Sequence, residues 1–255
     1  MARVAVSRVV SAGAVTGGLL VGYWLPGLAK PSAGARALLG VADRLDLSDA
    51  ICLTFDDGPH PQGTPAALET LAQAGARATF FLVGEQVERR PALAAEIVAA
   101  GHEIAVHCHR HRNLMRLTPR QVSDDLDRAA AAIADACDRE PRNYRPPYGI
   151  LTAAGLAAAR RRGWTTLLWS RDGRDWQRRA TSDSILARLT DGVTTGDVLL
   201  LHDADYYSAP DSWRGTMLAL PRLLAELTRR GLRTVPAEVG VMHPVRRSPD
   251  GRPED

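Results

Sequence analysis

The sequence predicts an α/β protein built on a parallel sheet, and three observations carry that reading. Short apolar runs alternate with Ala-, Leu- and Arg-rich helical stretches about seven times between residues 50 and 240, the rhythm of successive strand–helix units. Polar residues follow several different strands instead of gathering at one point. That favours closure into a barrel over a doubly wound sheet, because a parallel barrel brings its strand ends to one rim. With 45% hydrophobic and 24% charged residues, the chain holds enough apolar material for one sizeable core, and its unperiodic Gly and Pro exclude collagen, coiled coil and wholesale disorder.

The elements run as follows. Arg3 and Arg8 precede an uncharged stretch, residues 9–29, which at about 1.5 Å per residue can just cross a hydrocarbon core of ~30 Å. Residues 1–29 are therefore expected to be a membrane anchor or a signal peptide. Length argues for the anchor, whereas Pro26, Gly17, Gly18, Gly22, Ala33 and Ala35 suit a cleaved signal. The basic flank then places the rest outside the cytoplasm, tethered through residues 9–29 or secreted. Residues 30–49 read as a linker with a short amphipathic piece, 50–240 as the catalytic-sized domain and 241–255 as a polar tail. Strands are expected at 51–55, 78–83, 103–106, 144, 164–169, 198–201 and 233–235. Helices are expected at 65–74, 91–100, 121–138, 151–162, 182–190 and 217–230.

Charge and cysteine content say what the domain is not. Lys and Arg number 32 against 29 Asp and Glu, and every basic residue except Lys30 is arginine. The arginines are scattered instead of being interleaved with aromatics on one stripe, so no nucleic-acid partner is expected. Cys52, Cys108 and Cys137 are an odd number and make no disulfide framework.

The strand ends carry the chemistry. In "TFDDG", Thr54 to Gly58, adjacent carboxylates Asp56 and Asp57 follow an apolar strand; a turn at Gly58 and Pro59 lets one ligate a cation while its neighbour faces the bound water. Alone, an acidic pair before Gly-Pro is an ordinary turn former. In "HCHRH", His107 and His111 stand at i and i+4, so one helical turn or a tight loop puts both imidazoles on a common face, while His109 points elsewhere. Two His and one Asp suit zinc and also non-haem iron, so the donor count leaves the metal open. "YRPPYG" cannot be helical through Pro146 and Pro147, and Arg145 is placed to bond a carboxylate and lower its pKa. "DGRDW" and "LLLHD" add Asp172, Asp175, Trp176, Leu200 and His202. A carboxylate bonded to His202 would keep it protonated as a proton donor, and Trp176 with Leu200 could wall a small apolar pocket. The loop at 204–216 offers Tyr206, Tyr207 and Trp213, either to stack on a ligand or to anchor the loop itself.

These five strings, in this order and at these intervals, resemble the motifs of the polysaccharide deacetylases, the NodB-homology carbohydrate esterases. The resemblance implies a distorted, incomplete (β/α) barrel of about seven strands and metal-dependent removal of acetyl groups from N-acetylated glycans such as peptidoglycan or chitin. By position it implies Asp57, His107 and His111 as ligands of a divalent metal, zinc first with cobalt or another ion possible. It implies Asp56 as general base tethered by Arg145, and His202 as general acid oriented by Asp175. Tyr148 would lend its backbone N–H to the oxyanion, and Trp176 and Leu200 would receive the acetate methyl. The sequence leaves three competitors: a deformylase or deacetylase of a lipid-linked sugar, an O-acetyl xylan esterase, and a noncatalytic glycan-binding relative. The last would be expected to lack one of the acid, base or ligand residues, and none is missing. One departure stands out. Cys108 occupies the place where these proteins generally carry Ser or Thr, and a thiol facing the metal could compete as a soft ligand. Oligomeric state is not legible.

Overall fold

A computed structural model describes residues 33–240. The segment expected to anchor or export the chain, 1–29, and the expected tail, 241–255, lie outside the described residues. Among the described residues no helix is long and apolar enough to cross a membrane.

The strands are β1 (Val41–Ala42), β2 (Ala50–Asp56), β3 (Thr79–Leu82), β4 (Glu103–Val106), β5 (Asn143–Tyr144), β6 (Thr165–Leu167), β7 (Arg171–Asp172), β8 (Val198–His202) and β9 (Arg233–Val235). The helices are α1 (Ala33–Leu39), α2 (Gly63–Gln73), α3 (Gly84–Arg89), α4 (Pro91–Ala99), α5 (Pro119–Cys137), α6 (Ala153–Arg161), α7 (Ser182–Thr190), α8 (Ser212–Arg229) and α9 (Ala237–Gly240). All seven expected strands form, with β1 and β7 in addition. These two have only two residues each, too short for a periodic apolar signal. Residues 33–49, expected as linker, contribute α1 and β1, and β1 pairs with β6.

Every strand pair is parallel, in the order β1-β6-β5-β4-β3-β2-β8-β7. On β2, residues Thr54–Asp56 pair with β3 and Ala50–Cys52 with β9. The sheet curls into an incomplete barrel that stays open between β1 and β7. Alternation along the central strands sorts two layers. Ile51, Leu53, Phe55, Phe80, Leu82, Ile104, Val106, Leu199 and Leu201 pack against the helices. Cys52, Phe81, Ala105, Leu167 and Val198 form a second cluster inside the curl. The same parity sends Thr54, Asp56, His107, Arg145, Leu200 and His202 to the inner face. Cys108, one residue on from His107, joins the helix-side cluster.

Local sequence explains the longest connections. Helix α5 opens on a capping box in which Thr118 accepts from the Gln121 N–H and Gln121 accepts from the Thr118 N–H, with Pro119 in its first turn. Its buried stripe, Val122, Asp125, Leu126, Ala129, Ile133 and Cys137, follows helical spacing. Helix α7 has a similar box at Thr181 and Ser184. Helix α8 begins five residues earlier than expected because Trp213 and Thr216 are buried and extend its inward face.

Candidate active site

Asp56 is the last residue of β2, and register sets it beside His202 on β8. The backbone turns immediately afterwards. Asp57 takes a φ of 79°, a left-handed conformation costly for a residue with a side chain, so the turn begins at Asp57 itself and not at Gly58. That turn brings Asp57 Oδ1 to 3.5 Å from His107 Nε2 and 3.4 Å from His111 Nε2. The histidines reach it from a loop after β4, not from a helical turn. Asp125 on α5 fixes this loop by accepting the His109 N–H at 2.7 Å and an Arg112 N–H at 2.6 Å. His109 points away, towards Glu88.

One donor atom from each of Asp57, His107 and His111 lies within 4.8 Å of the others. This trio fits a divalent cation. Asp57 Oδ1 is buried without a hydrogen-bond partner, a costly state that a bound ion would relieve. Burial lowers both imidazoles to about 3, so they are neutral at pH 7 and their lone pairs are free for coordination. The Arg145 carbonyl can only accept, so His107 Nδ1 donates to it at 2.8 Å, leaving Nε2 to face Asp57. Burial likewise raises the Asp57 carboxyl to about 7, helped by the negative charges of Asp56 and Asp203 and opposed by His202. Cys108 is not among these donors. Its thiol is buried against Tyr144, and burial holds its pKa well above the usual value.

Arg145 is wholly buried, and the expected tether forms: Nη1 donates to Asp56 Oδ1 at 2.6 Å and to Thr54 Oγ1 at 2.9 Å. Its remaining donors reach the carbonyls of Leu167 and Leu168, and the guanidinium lies 4.0 Å over the Phe81 ring. The expected consequence is reversed. Burial pushes the Asp56 carboxyl above its usual range, and the pull of Arg145 and His202 only moderates that rise. A raised carboxylate is the more capable base.

His202 is locked to Asp175 twice, by Nδ1 to Oδ1 at 2.8 Å and by its backbone N–H to Oδ2 at 2.7 Å. Thr216 donates to the same Oδ2 at 2.7 Å. Burial would lower the His202 pKa, but the Asp175 charge and hydrogen bond outweigh it and raise it to about 10. The imidazole is therefore a cation at neutral pH.

A cavity of about 350 Å³ joins these groups and is lined further by Tyr148, Trp169, Asp172, Trp176, Leu200 and Tyr207. Leu200 is buried on the inner face, whereas Trp176 and Tyr148 are open to solvent at 42% and 58% exposure, so an apolar floor meets an aromatic rim. Tyr148 has a φ of 60°. The loop after β8 is anchored through one of its own tyrosines and the first turn of α8. Tyr206 and Trp213 pack on His60 at 5.2 and 5.5 Å between centroids, whereas Tyr207 turns into the cavity.

Asp203 escaped sequence reasoning as a partner of the turn at Asp57 and Gly58. Its carboxyl is fully buried, accepts from Thr64 and lies against Gly58, where a Cβ would come within 2.6 Å of Oδ2. The signal was present in the acid that directly follows β8, but nothing local shows which neighbour it serves.

A trio able to hold a cation, an arginine-tethered carboxyl and a histidine held protonated by Asp175 share the rim of a parallel half-barrel, an arrangement suited to hydrolysis. Residues 46–167 match the family model for polysaccharide deacetylase. A chitooligosaccharide deacetylase of Bradyrhizobium sp. is 39% identical over 194 residues, 73% of this chain and 88% of that protein. A peptidoglycan-N-acetylglucosamine deacetylase of Bacillus cereus is 35% identical over 188 residues, 72% and 84% of the two chains. The solved Bc1960 peptidoglycan N-acetylglucosamine deacetylase superposes with a TM-score of 0.76 at 26% identity, covering 82% of this chain and 96% of its own. The chain belongs to the polysaccharide deacetylase family, hydrolases acting on N-acetyl groups.

Proposed function

We propose that this protein removes acetyl groups from N-acetylglucosamine units of an envelope glycan, peptidoglycan or a chitin-like oligomer, using a divalent metal held by Asp57, His107 and His111. The observation that carries this is the side-by-side register of Asp56 and His202 next to that trio, the first tethered by Arg145 and the second bonded to Asp175. The relatives act on both glycan types by name, which supports the substrate class and action outside the cytoplasm.

A bound divalent ion would acidify a water and polarise the amide carbonyl. Asp56, held by Arg145, takes the proton from the attacking water, and its raised pKa matches it to that task. The Tyr148 N–H donates to the developing oxyanion. His202, kept protonated by Asp175, delivers its Nε2 proton to the departing nitrogen, which would otherwise be a very poor leaving group. Leu200 and Trp176 receive the acetate methyl and exclude water from it.

Acetate release from peptidoglycan, chitin oligomers and acetylxylan, measured before and after chelation and with Zn²⁺ or Co²⁺ restored, tests the proposal. Activity on the N-acetylated glycans is expected to vanish with chelator and return with metal. Release that ignores chelator, or formate in place of acetate, refutes it.

A further inference from the structure

The two imidazoles of the proposed metal site are held by different means. His107 donates Nδ1–H to a backbone carbonyl, which fixes its ring plane. His111 Nδ1 is buried and has no hydrogen-bond partner outside its own residue. A ligand histidine ordinarily uses that second nitrogen to set its orientation. His111 is flanked instead by two tyrosines. Tyr207 stacks on it at 4.4 Å with 13° between the planes, and Tyr148 meets it edge-on at 4.5 Å and 70°.

Tyr207 is itself tied down. Its hydroxyl donates to Glu85 Oε1 at 2.9 Å and accepts from Gln86 Nε2 at 3.1 Å, both residues on α3. The Gly84 and Glu85 N–H groups of α3 in turn donate to the Cys108 and His109 carbonyls at 2.9 Å. The stacking ring is thus anchored to the loop whose histidine it covers, although it arrives from the loop that follows His202.

We propose that Tyr207 is a positioning residue for His111: its anchored ring sets the imidazole plane in place of a hydrogen bond to a neighbouring residue, and so sets how firmly the Asp57–His107–His111 trio holds a divalent ion. The inference rests on reading that trio as the metal site. An imidazole free to rotate spends only part of its time aligned, and apparent affinity falls by that fraction.

The test uses metal-stripped protein titrated with Zn²⁺ against a chromophoric chelator, and with Co²⁺ for its visible bands. Tyr207→Leu, which removes the flat ring, is expected to weaken zinc about tenfold and to alter the cobalt spectrum. Tyr207→Phe keeps the ring, loses the Glu85 and Gln86 anchors, and is expected to bind more tightly than the Leu variant. Melting of the metal-free forms is followed alongside, and Tyr207→Met replaces the Leu variant if the latter fails to fold. A loss of less than about threefold in the ring-less variant, or equal binding by the Phe and Leu variants, overturns the proposal. His111→Ala separates the two readings. If the unchanged protein binds zinc and His111→Ala does not, a normal Tyr207→Leu sinks this inference alone; if the unchanged protein takes no zinc, both fall.

Discussion

At the scale of single residues, the candidate site gives two neighbouring titratable groups different partners. Asp56 and His202 lie side by side, yet one carries a tethering arginine and the other a buried carboxylate. Because the folded His202 pKa, about 10, exceeds its ordinary 6.5, the stabilisation from Asp175 is complete below about 6.5 and fades as pH rises through about 10. Catalysis should follow the same proton. Asp175→Asn removes the charge that overcomes burial, so the basic limb of kcat/KM is expected to move about one unit or more towards acid, with turnover at pH 8 falling accordingly. Coincident basic limbs for the two proteins would remove His202 from the acid role. The sequence carried the residue types here, and the pairing of His202 with a carboxylate. It misjudged the direction at Asp56, because the burial that outweighs Arg145 belongs to the assembled core.

Among the elements, the turn from β2 into α2 is the most constrained. It must deliver Asp57 to the histidines and then pass beneath Asp203, and it does so where Gly58 and Gly63 leave no side chain. In an exposed helix, replacing glycine by alanine adds about 1 kcal/mol of stability. Gly63→Ala should do the opposite, since its Cβ would overlap the Asp203 carbonyl oxygen. A loss of about 1–3 kcal/mol is expected in denaturant melts. A neutral or stabilised variant would show that the turn relaxes freely. The expected helices and strands appear near their sequence positions because periodic apolar faces announce them. Helix α3 was not foreseen. It has six residues, too few for a periodic signal, and two of its N–H groups pair with the histidine loop.

For the whole molecule, the open seam between β1 and β7 needs another closure, and Asp197 supplies one. Buried ahead of β8, it pairs with Arg44 beyond β1 and with Arg171 on β7 at 2.8 Å, and accepts from Ser170 at 2.6 Å. Burial alone would raise its pKa, but Ser170 and Arg171 prevail and hold it below the ordinary 3.8. Its contribution is therefore present above about 3.8 and is lost as pH falls through the lower folded value. Asp197→Ala is expected to cost about 2–3 kcal/mol at pH 7, discounted for the partly exposed Arg44, and the gap should narrow in acid. A gap that stays constant down to pH 3 would assign the loss to packing instead of charge.

The sequence by itself determined the parallel α/β class, the strand ends that carry chemistry and the trio suited to a cation, since each is written in local order: apolar runs, adjacent carboxylates, histidines four apart. Only the tertiary structure decided where those groups face. Strand alternation sends Cys108 into the helix-side core and away from Asp57, His107 and His111. The Asp57 turn aims its carboxylate at both imidazoles, and Tyr207 covers His111 from the loop after β8, far along the chain. Such contacts join residues distant in sequence, and their energies come from burial and geometry that exist only once the sheet has curled.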